Sequence, residues 1–473
     1  MKIIGVVKNM NFLLIFFIAL PLLIIAVELR KTINKHFALK KVFSIKREVK
    51  NLKKEYKYKP VKLSTSEQKE YTYLGESPNH KPIYMPNNAK HILINGTTGS
   101  GKTVALANFI KSAVDNNYPL LIVDGKGDIG EDSIYDIVNK LKGTKKLYVV
   151  NMNDPMKSSK YNPFKNASPT IIKDMLINMT EWSEEHYKLN TERYLQKLVT
   201  VLYKAEIALS FTNIIKYIPT DKFSKFSAEL VKKALMSKDE HIENLEIAKI
   251  SGKIAENASS RFSTIAESEA GVIFDENGID IYAALRENAI ILFILNPLIY
   301  PELSPRMGRL ILIDSKKAVQ YYFGDEQRKF FVFDEINVYA SPTLLDLANK
   351  SRSAGIMCIF AAQSLSDLDS AGGEYFKEQI IENCNNFLAL RQNSAVNAEK
   401  WANILGTRKN LDVTYQLTNN GGGFTEDTGY GSARRVHEFL YHPDEIKTFP
   451  TGHGIYMCKD NNTHSKIIIH KPF

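Results

Sequence analysis

With 473 residues the chain is too long for one small domain and suits one large core carrying an insertion, or two domains, behind a membrane segment. Its 44% hydrophobic and 24% charged residues exclude a disordered or fibrous chain. The net charge of +10 does not mark a basic body: residues 28–59 hold twelve Lys or Arg against three acids, Lys2 and Lys8 precede them, and the remainder is close to neutral.

Residues 1–9 read as a short extracytoplasmic N-terminus. Met10–Val27, MNFLLIFFIALPLLIIAV, is an uncharged run long enough to cross a hydrocarbon core, and Pro21 is tolerable there. Glu28, Leu29, Arg30 and Lys31 follow where a signal peptide would show a small-residue cleavage site, so an uncleaved transmembrane helix is expected. The basic excess behind it places the long C-terminal part in the cytoplasm. Within the basic juxtamembrane segment 28–60, Val42, Ile45, Val49, Leu52 and Tyr56 recur at helical spacing. That segment is expected to lie on anionic lipid, to pack on neighbouring subunits, or to form a solvated stalk.

From residue 61 short apolar runs alternate with helical patterns: His91–Asn95, Leu120–Asp124, 146–150, Ile290–Leu295, 330–334, 357–362 and 387–391. This is the signature of an α/β fold with a mainly parallel sheet. The core is expected in two parts, 61–180 and 270–473, separated by an all-α insertion over 181–269, where Tyr194, Leu195, Leu198, Val201 and Leu202 follow helical spacing. Asn419–Gly431, NNGGGFTEDTGYG, reads as a flexible loop.

Gly96–Thr103 reads GTTGSGKT, with HILIN before it and TVALANFIKSAV after it, a strand–loop–helix context for a phosphate-binding loop. The backbone of Gly96, Thr97, Thr98, Gly99, Ser100 and Gly101 would cradle phosphates, Lys102 would reach the β and γ oxygens, and Thr103 would hold Mg²⁺. Two apolar runs end in acids, LLIVD at Asp124 and FFVFDE at Asp334 and Glu335. The second is preferred, because hydrolysis needs Asp334 for the water shell of the metal and Glu335 to orient or polarise the attacking water. Gln363, ending MCIFAAQ, would put a neutral amide near the γ-phosphate. The three cysteines form no C-x-x-C pair and no H-E-x-x-H occurs, so no protein-ligated transition metal is expected.

In order and spacing these motifs resemble the FtsK–HerA superfamily and, within it, the type IV coupling proteins of the TraD and TraG kind. The resemblance runs from HILINGTTGSGKT through LLIVDGKGDI, YNPF at Tyr161–Phe164, FFVFDE and SRSAGIMCIFAAQSLSDL to VHEFLYHPDEIKTFPTGHG. It implies a RecA-like P-loop core that uses ATP and Mg²⁺, a homo-hexameric ring around DNA, and relaxase and secretion-channel partners at a bacterial inner membrane. It also implies that Arg352 is the arginine finger inserted by a neighbour, with Arg391 as a second choice. One membrane span instead of two departs from the family pattern. A segregation translocase, a protein-secretion ATPase and a nucleotide-switched substrate receptor are the competing readings; absence of an L-S-G-G-Q segment disfavours an ABC subunit.

Overall fold

The structure is a computed structural model that describes residues 20–33, 36, 63–64, 67–420 and 424–473. These fall into two units, one of Lys59–Trp401 with His442–Phe473 and one of Met1–Tyr58 with Ala402–Tyr441.

The strands, in chain order, are β1 (Tyr71–Glu76), β2 (Pro82–Pro86), β3 (His91–Asn95), β4 (Leu120–Asp124), β5 (Leu147–Asn151), β6 (Ile290–Ile294), β7 (Lys329–Asp334), β8 (Ile356–Ala362), β9 (Cys384–Leu390), β10 (Thr407–Asn420), β11 (Phe424–Phe439), β12 (His453–Cys458) and β13 (Thr463–Ile468). Eleven of them build one sheet in the larger unit, ordered β2-β1-β13-β12-β9-β3-β8-β7-β4-β6-β5. From β9 to β5 every pairing is parallel. Strands β3, β4, β6, β7 and β8 are buried along their whole length, as expected of parallel strands covered on both faces by crossover helices.

Chain order and spatial order differ in a way that matters. Strand β8 inserts between β3, which leads into the phosphate loop, and β7, which ends at Asp334. The C-terminal ends of all three therefore share one sheet edge, where open α/β sheets bind ligands. Strands β1, β2, β12 and β13 extend the sheet in antiparallel fashion.

Between β5 and β6 the chain forms the helices Pro169–Asn178, Glu185–Lys204, Phe211–Tyr217, Thr220–Lys232, Lys238–Ile247, Lys253–Ala266 and Ile281–Arg286 and no strand. Tyr194, Leu198, Leu202, Phe223 and Phe262 are fully buried among them. The start of the fourth helix after residue 180 is fixed by a capping box of Ser237 and Glu240, which satisfies two otherwise orphaned N–H groups.

The segment Asn419–Gly431, expected as a loop, is mostly strand. In the smaller unit β10 and β11 pair antiparallel from Thr407↔Phe439 to Asn420↔Phe424, with a register shift between Tyr415 and Leu417. Its many glycines and polar residues mimic loop composition, but a two-stranded ribbon satisfies its backbone groups across the ladder.

Residues 20–33 are helical, and Leu22, Leu23, Ile24, Ile25 and Leu29 are exposed. No helix among the described residues is long and apolar enough to cross a membrane. Residues 10–19 of the expected span, and most of the basic segment 28–60, lie outside the described residues.

Candidate active site

The loop after β3 is bent by Gly99 at φ +73° and Gly101 at φ +105°, a region that a side chain would make costly. Gly96 is needed for a different reason: a Cβ there would lie 2.4 Å from Ser100 Oγ and 2.7 Å from Leu390 Cβ. The helix Lys102–Asp115 starts directly from this loop with Gly101 as N-cap and no capping side chain. Its first N–H groups are thus left to whatever occupies the loop, beside the positive end of the helix dipole.

The loop is held on three sides. The Thr97 N–H donates to the Arg391 carbonyl at 3.0 Å, just past the end of β9. The Gly452 N–H donates to the Ser100 carbonyl at 2.9 Å, and Thr451 Oγ1 donates to the Gly99 carbonyl at 2.9 Å. Thr451 and Gly452 were not anticipated as site residues; within FPTGHG only the resemblance hinted at them. Gly452 also sits so close that a Cβ on Gly101 would meet its backbone at 3.0 Å.

Opposite the loop stand the acids of β7. Lys102 Nζ donates to Glu335 Oε1 at 2.7 Å, and Gln363 Nε2, following β8, reaches the same oxygen at 3.2 Å. Both partners of the ion pair are buried, with side chains 10% and 8% exposed. Glu335 takes the left-handed conformation, φ +48°, an uncommon and strained choice for a residue with a Cβ. Beside it Asp334 is buried, and its Oδ1 has no hydrogen-bond partner. Burial pushes the Asp334 carboxyl up from its ordinary range, Lys102 opposes that shift, and the Glu335 charge adds to it.

Asp124, the alternative acid, lies in register with Asp334 on the neighbouring strand. Its Oδ1 accepts from the Lys126 N–H at 2.9 Å and the Gly127 N–H at 3.3 Å, so it braces the turn that follows. Burial, and next the Asp334 charge, push it up to about 7. A carboxylate already committed to its own turn is the poorer choice for a metal's water shell, whereas Asp334 has an oxygen to spare.

The structure thus brings Lys102, Asp334, Glu335 and Gln363 together at the phosphate loop. It does not bring Arg352 there. Arg352 is exposed, in the turn Ser351–Ala354 before β8, at the opposite edge of the sheet. Arg391, in contrast, adjoins the loop, and its Nε is buried without a partner.

The free loop, the spare Asp334 oxygen and the buried, unpartnered Thr97 Oγ1 and Ser100 Oγ fit a magnesium nucleotide. Residues 81–297 match the family described as the central domain of the helicase HerA, and residues 328–451 match the TraM recognition site of TraD and TraG. Together these two matches support a coupling protein of the TraD/TraG type. It is accordingly a P-loop ATPase that takes ATP and Mg²⁺.

Among solved structures, the plasmid coupling protein TrwB with a non-hydrolysable ATP analogue superposes with TM-score 0.61 at 16% identity, over 88% of this chain and 95% of that one. VirB4 of Thermoanaerobacter pseudethanolicus superposes with TM-score 0.53 at 12% identity, over 84% of this chain and 96% of that one. At such identities the likeness establishes the α/β P-loop NTPase fold of this chain. An uncharacterized protein of Mycoplasma pneumoniae is 30% identical over 109 residues, which are 23% of this chain and 70% of that protein.

Proposed function

We propose that this protein is a membrane-anchored motor in which ATP hydrolysis drives DNA, or a relaxase–DNA conjugate, into a type IV secretion channel during conjugation. The observation that carries the reading is the Lys102–Glu335–Gln363 cluster beside the unpaired Oδ1 of Asp334, in a chain whose residues 328–451 match the TraM recognition family. A mere nucleotide receptor has no use for a second, strained carboxylate aimed at its phosphate-loop lysine.

The residues divide the chemistry as follows. ATP entering the loop takes Lys102 from Glu335, and the freed carboxylate orients a water for in-line attack on the γ-phosphorus. Thr103 and Asp334 would hold Mg²⁺ through its water shell, and the ion would supply neutralisation of phosphate charge. Gln363, which shares Glu335 Oε1 with Lys102, senses the loss of the γ-phosphate. Arg352, far from its own chain's site, serves the site of the next subunit in a homo-hexameric ring. The helix 20–33 with its exposed leucines and isoleucines is consistent with an inner-membrane anchor that contacts lipid, with the motor on the cytoplasmic side.

The test is steady-state ATPase activity of the full-length protein in detergent, titrated with single- and double-stranded DNA, with Lys102→Ala as control. Turnover stimulated by DNA and absent from the control is expected. Turnover indifferent to both DNAs but raised by a protein cargo would overturn the DNA reading, and no turnover at all would leave a nucleotide-switched receptor.

A further inference from the structure

A cavity of about 540 Å³ lies between the helical segment and the turn that follows Glu335. Three arginines line it: Arg261 from the helix Lys253–Ala266, and Arg306 and Arg309 from the helix Leu303–Tyr321. Across from them stand Asn337 and Val338 of the turn Ile336–Tyr339.

Its charges are sorted by depth. The Arg306 and Arg309 side chains are 28% and 20% exposed, whereas those of the two acids on the rim, Glu302 and Glu181, are 87% and 83% exposed. Much of the donor capacity is unused. Arg309 gives Nη2 to Glu181 Oε1 at 2.6 Å, but its Nε is buried without a partner; Asn337 Oδ1, also unpaired, is an acceptor. Arg306 has an ion pair of only 3.7 Å to Glu302. Arg261 stacks over the Trp182 ring at 4.6 Å and donates to the Glu181 carbonyl. Three guanidinium groups, of which Arg306 is held only by its long ion pair to Glu302, and net positive walls match phosphodiester chemistry.

The cavity is also welded to the catalytic edge. Gly308, between the two arginines of its helix, packs so tightly on the turn that a Cβ there would lie 2.4 Å from Tyr339 Cβ. Tyr339 in turn donates its hydroxyl to the Asp334 carbonyl at 2.9 Å, and the strained Glu335 caps the turn. Displacement of the arginine-bearing helix therefore reaches Glu335 through two rigid contacts.

We infer that this cavity seats the backbone phosphates of the nucleic-acid cargo and couples their arrival to Glu335. The inference rests on the DNA-motor reading, and its test separates the two. Binding of a fluorescein-labelled oligonucleotide to the full-length protein in detergent is measured by anisotropy across a salt series, alongside ATP turnover with and without that DNA.

Arg306→Glu combined with Arg261→Ala is expected to weaken binding about tenfold or more and to shrink the salt slope by roughly one ion per lost phosphate contact. DNA stimulation falls with it, while DNA-free turnover, which also reports folding, stays at the wild-type level. Arg306→Lys, which keeps the charge and loses the fork, falls between. Wild-type affinity, salt slope and stimulation in the double variant would overturn the cavity assignment and leave the motor reading standing. A wild-type protein that neither binds nor responds to any nucleic acid would overturn both.

Discussion

The two edges of the parallel sheet are made from the same strands and are finished in opposite ways. At the C-terminal edge Thr97 Oγ1, Ser100 Oγ and Asp334 Oδ1 are buried without partners. At the N-terminal edge the buried polar groups satisfy one another. The His91 ring gives its Nε2–H to the Ala348 carbonyl at 2.8 Å and accepts the Cys358 N–H on Nδ1 at 3.0 Å. Fully buried Lys329 reaches Asp325 at 3.1 Å and the Gln327 carbonyl at 2.9 Å. Strain and unmet hydrogen bonds lower stability and persist where a ligand will use them; complete networks hold the scaffold. Arg352 breaks the pattern, an exposed cation on the satisfied edge with no partner that explains it.

That exception gives the largest expected effect. If Arg352 completes the neighbour's site, Arg352→Ala lowers turnover of the whole assembly by about 10³–10⁵ while leaving nucleotide affinity unchanged. Mixing variant with wild-type chains then depresses activity more than in proportion. Turnover at the wild-type level in the all-variant protein would return Arg352 to the scaffold. Next in size, Glu335→Gln keeps a hydrogen bond from Lys102 but loses the charge, so steady-state turnover is expected to fall about 10²–10⁴-fold with ATP still bound. Activity above a tenth of wild type would move the catalytic role off the strained residue.

The satisfied edge is tested through pH. Burial is the main cause that holds the His91 ring down to about 4, against an ordinary 6.5. The folded protein therefore keeps this ring neutral while the unfolded chain takes up a proton below about 6.5. The sign follows: the stabilisation is complete above that pH and is lost as pH falls towards 4, a difference of about 3 kcal/mol. Denaturant unfolding at pH 8 and at pH 4.5 is the measurement. His91→Gln should lower stability at pH 8 and flatten its acid limb relative to wild type; parallel limbs would show that the network is not what His91 supports.

The sequence showed these two edges unequally. Phosphate-loop glycines, Lys102 and the Asp334–Glu335 pair are legible because each residue type has a backbone or charge reason to be there, and continuous apolar runs mark parallel strands buried on both faces. Strands β1, β2 and β13 escaped because they are short and half-covered, with polar residues interspersed, as in THSKII. Asn419–Gly431 reads as a loop because glycine and polar content hide a ladder whose backbone groups pair with one another. Thr451 and Gly452 reach the phosphate loop by folding from more than three hundred residues away, and no local pattern encodes such a contact. Nor could spacing show that Arg391 adjoins the loop, since that depends on β9 lying beside β3.

Gln363 gives the finest division between the edges, for it is a neutral group placed among charges. Its amide donates to the same Glu335 oxygen that Lys102 holds, at 3.2 Å against 2.7 Å, so Lys102 dominates while the pair is intact. Once ATP draws Lys102 away, Gln363 becomes the remaining donor that fixes the direction of the Glu335 carboxylate. Gln363→Ala is therefore expected to lower turnover about tenfold, the value of one hydrogen bond to a charged group, with little change in ATP affinity. Stability should hardly move, because Gln363 is exposed and its loss leaves Glu335 paired with Lys102. A fall in ATP affinity with turnover preserved would instead make Gln363 a ground-state contact to nucleotide, and would limit the catalytic part of the C-terminal edge to Lys102 and the two acids.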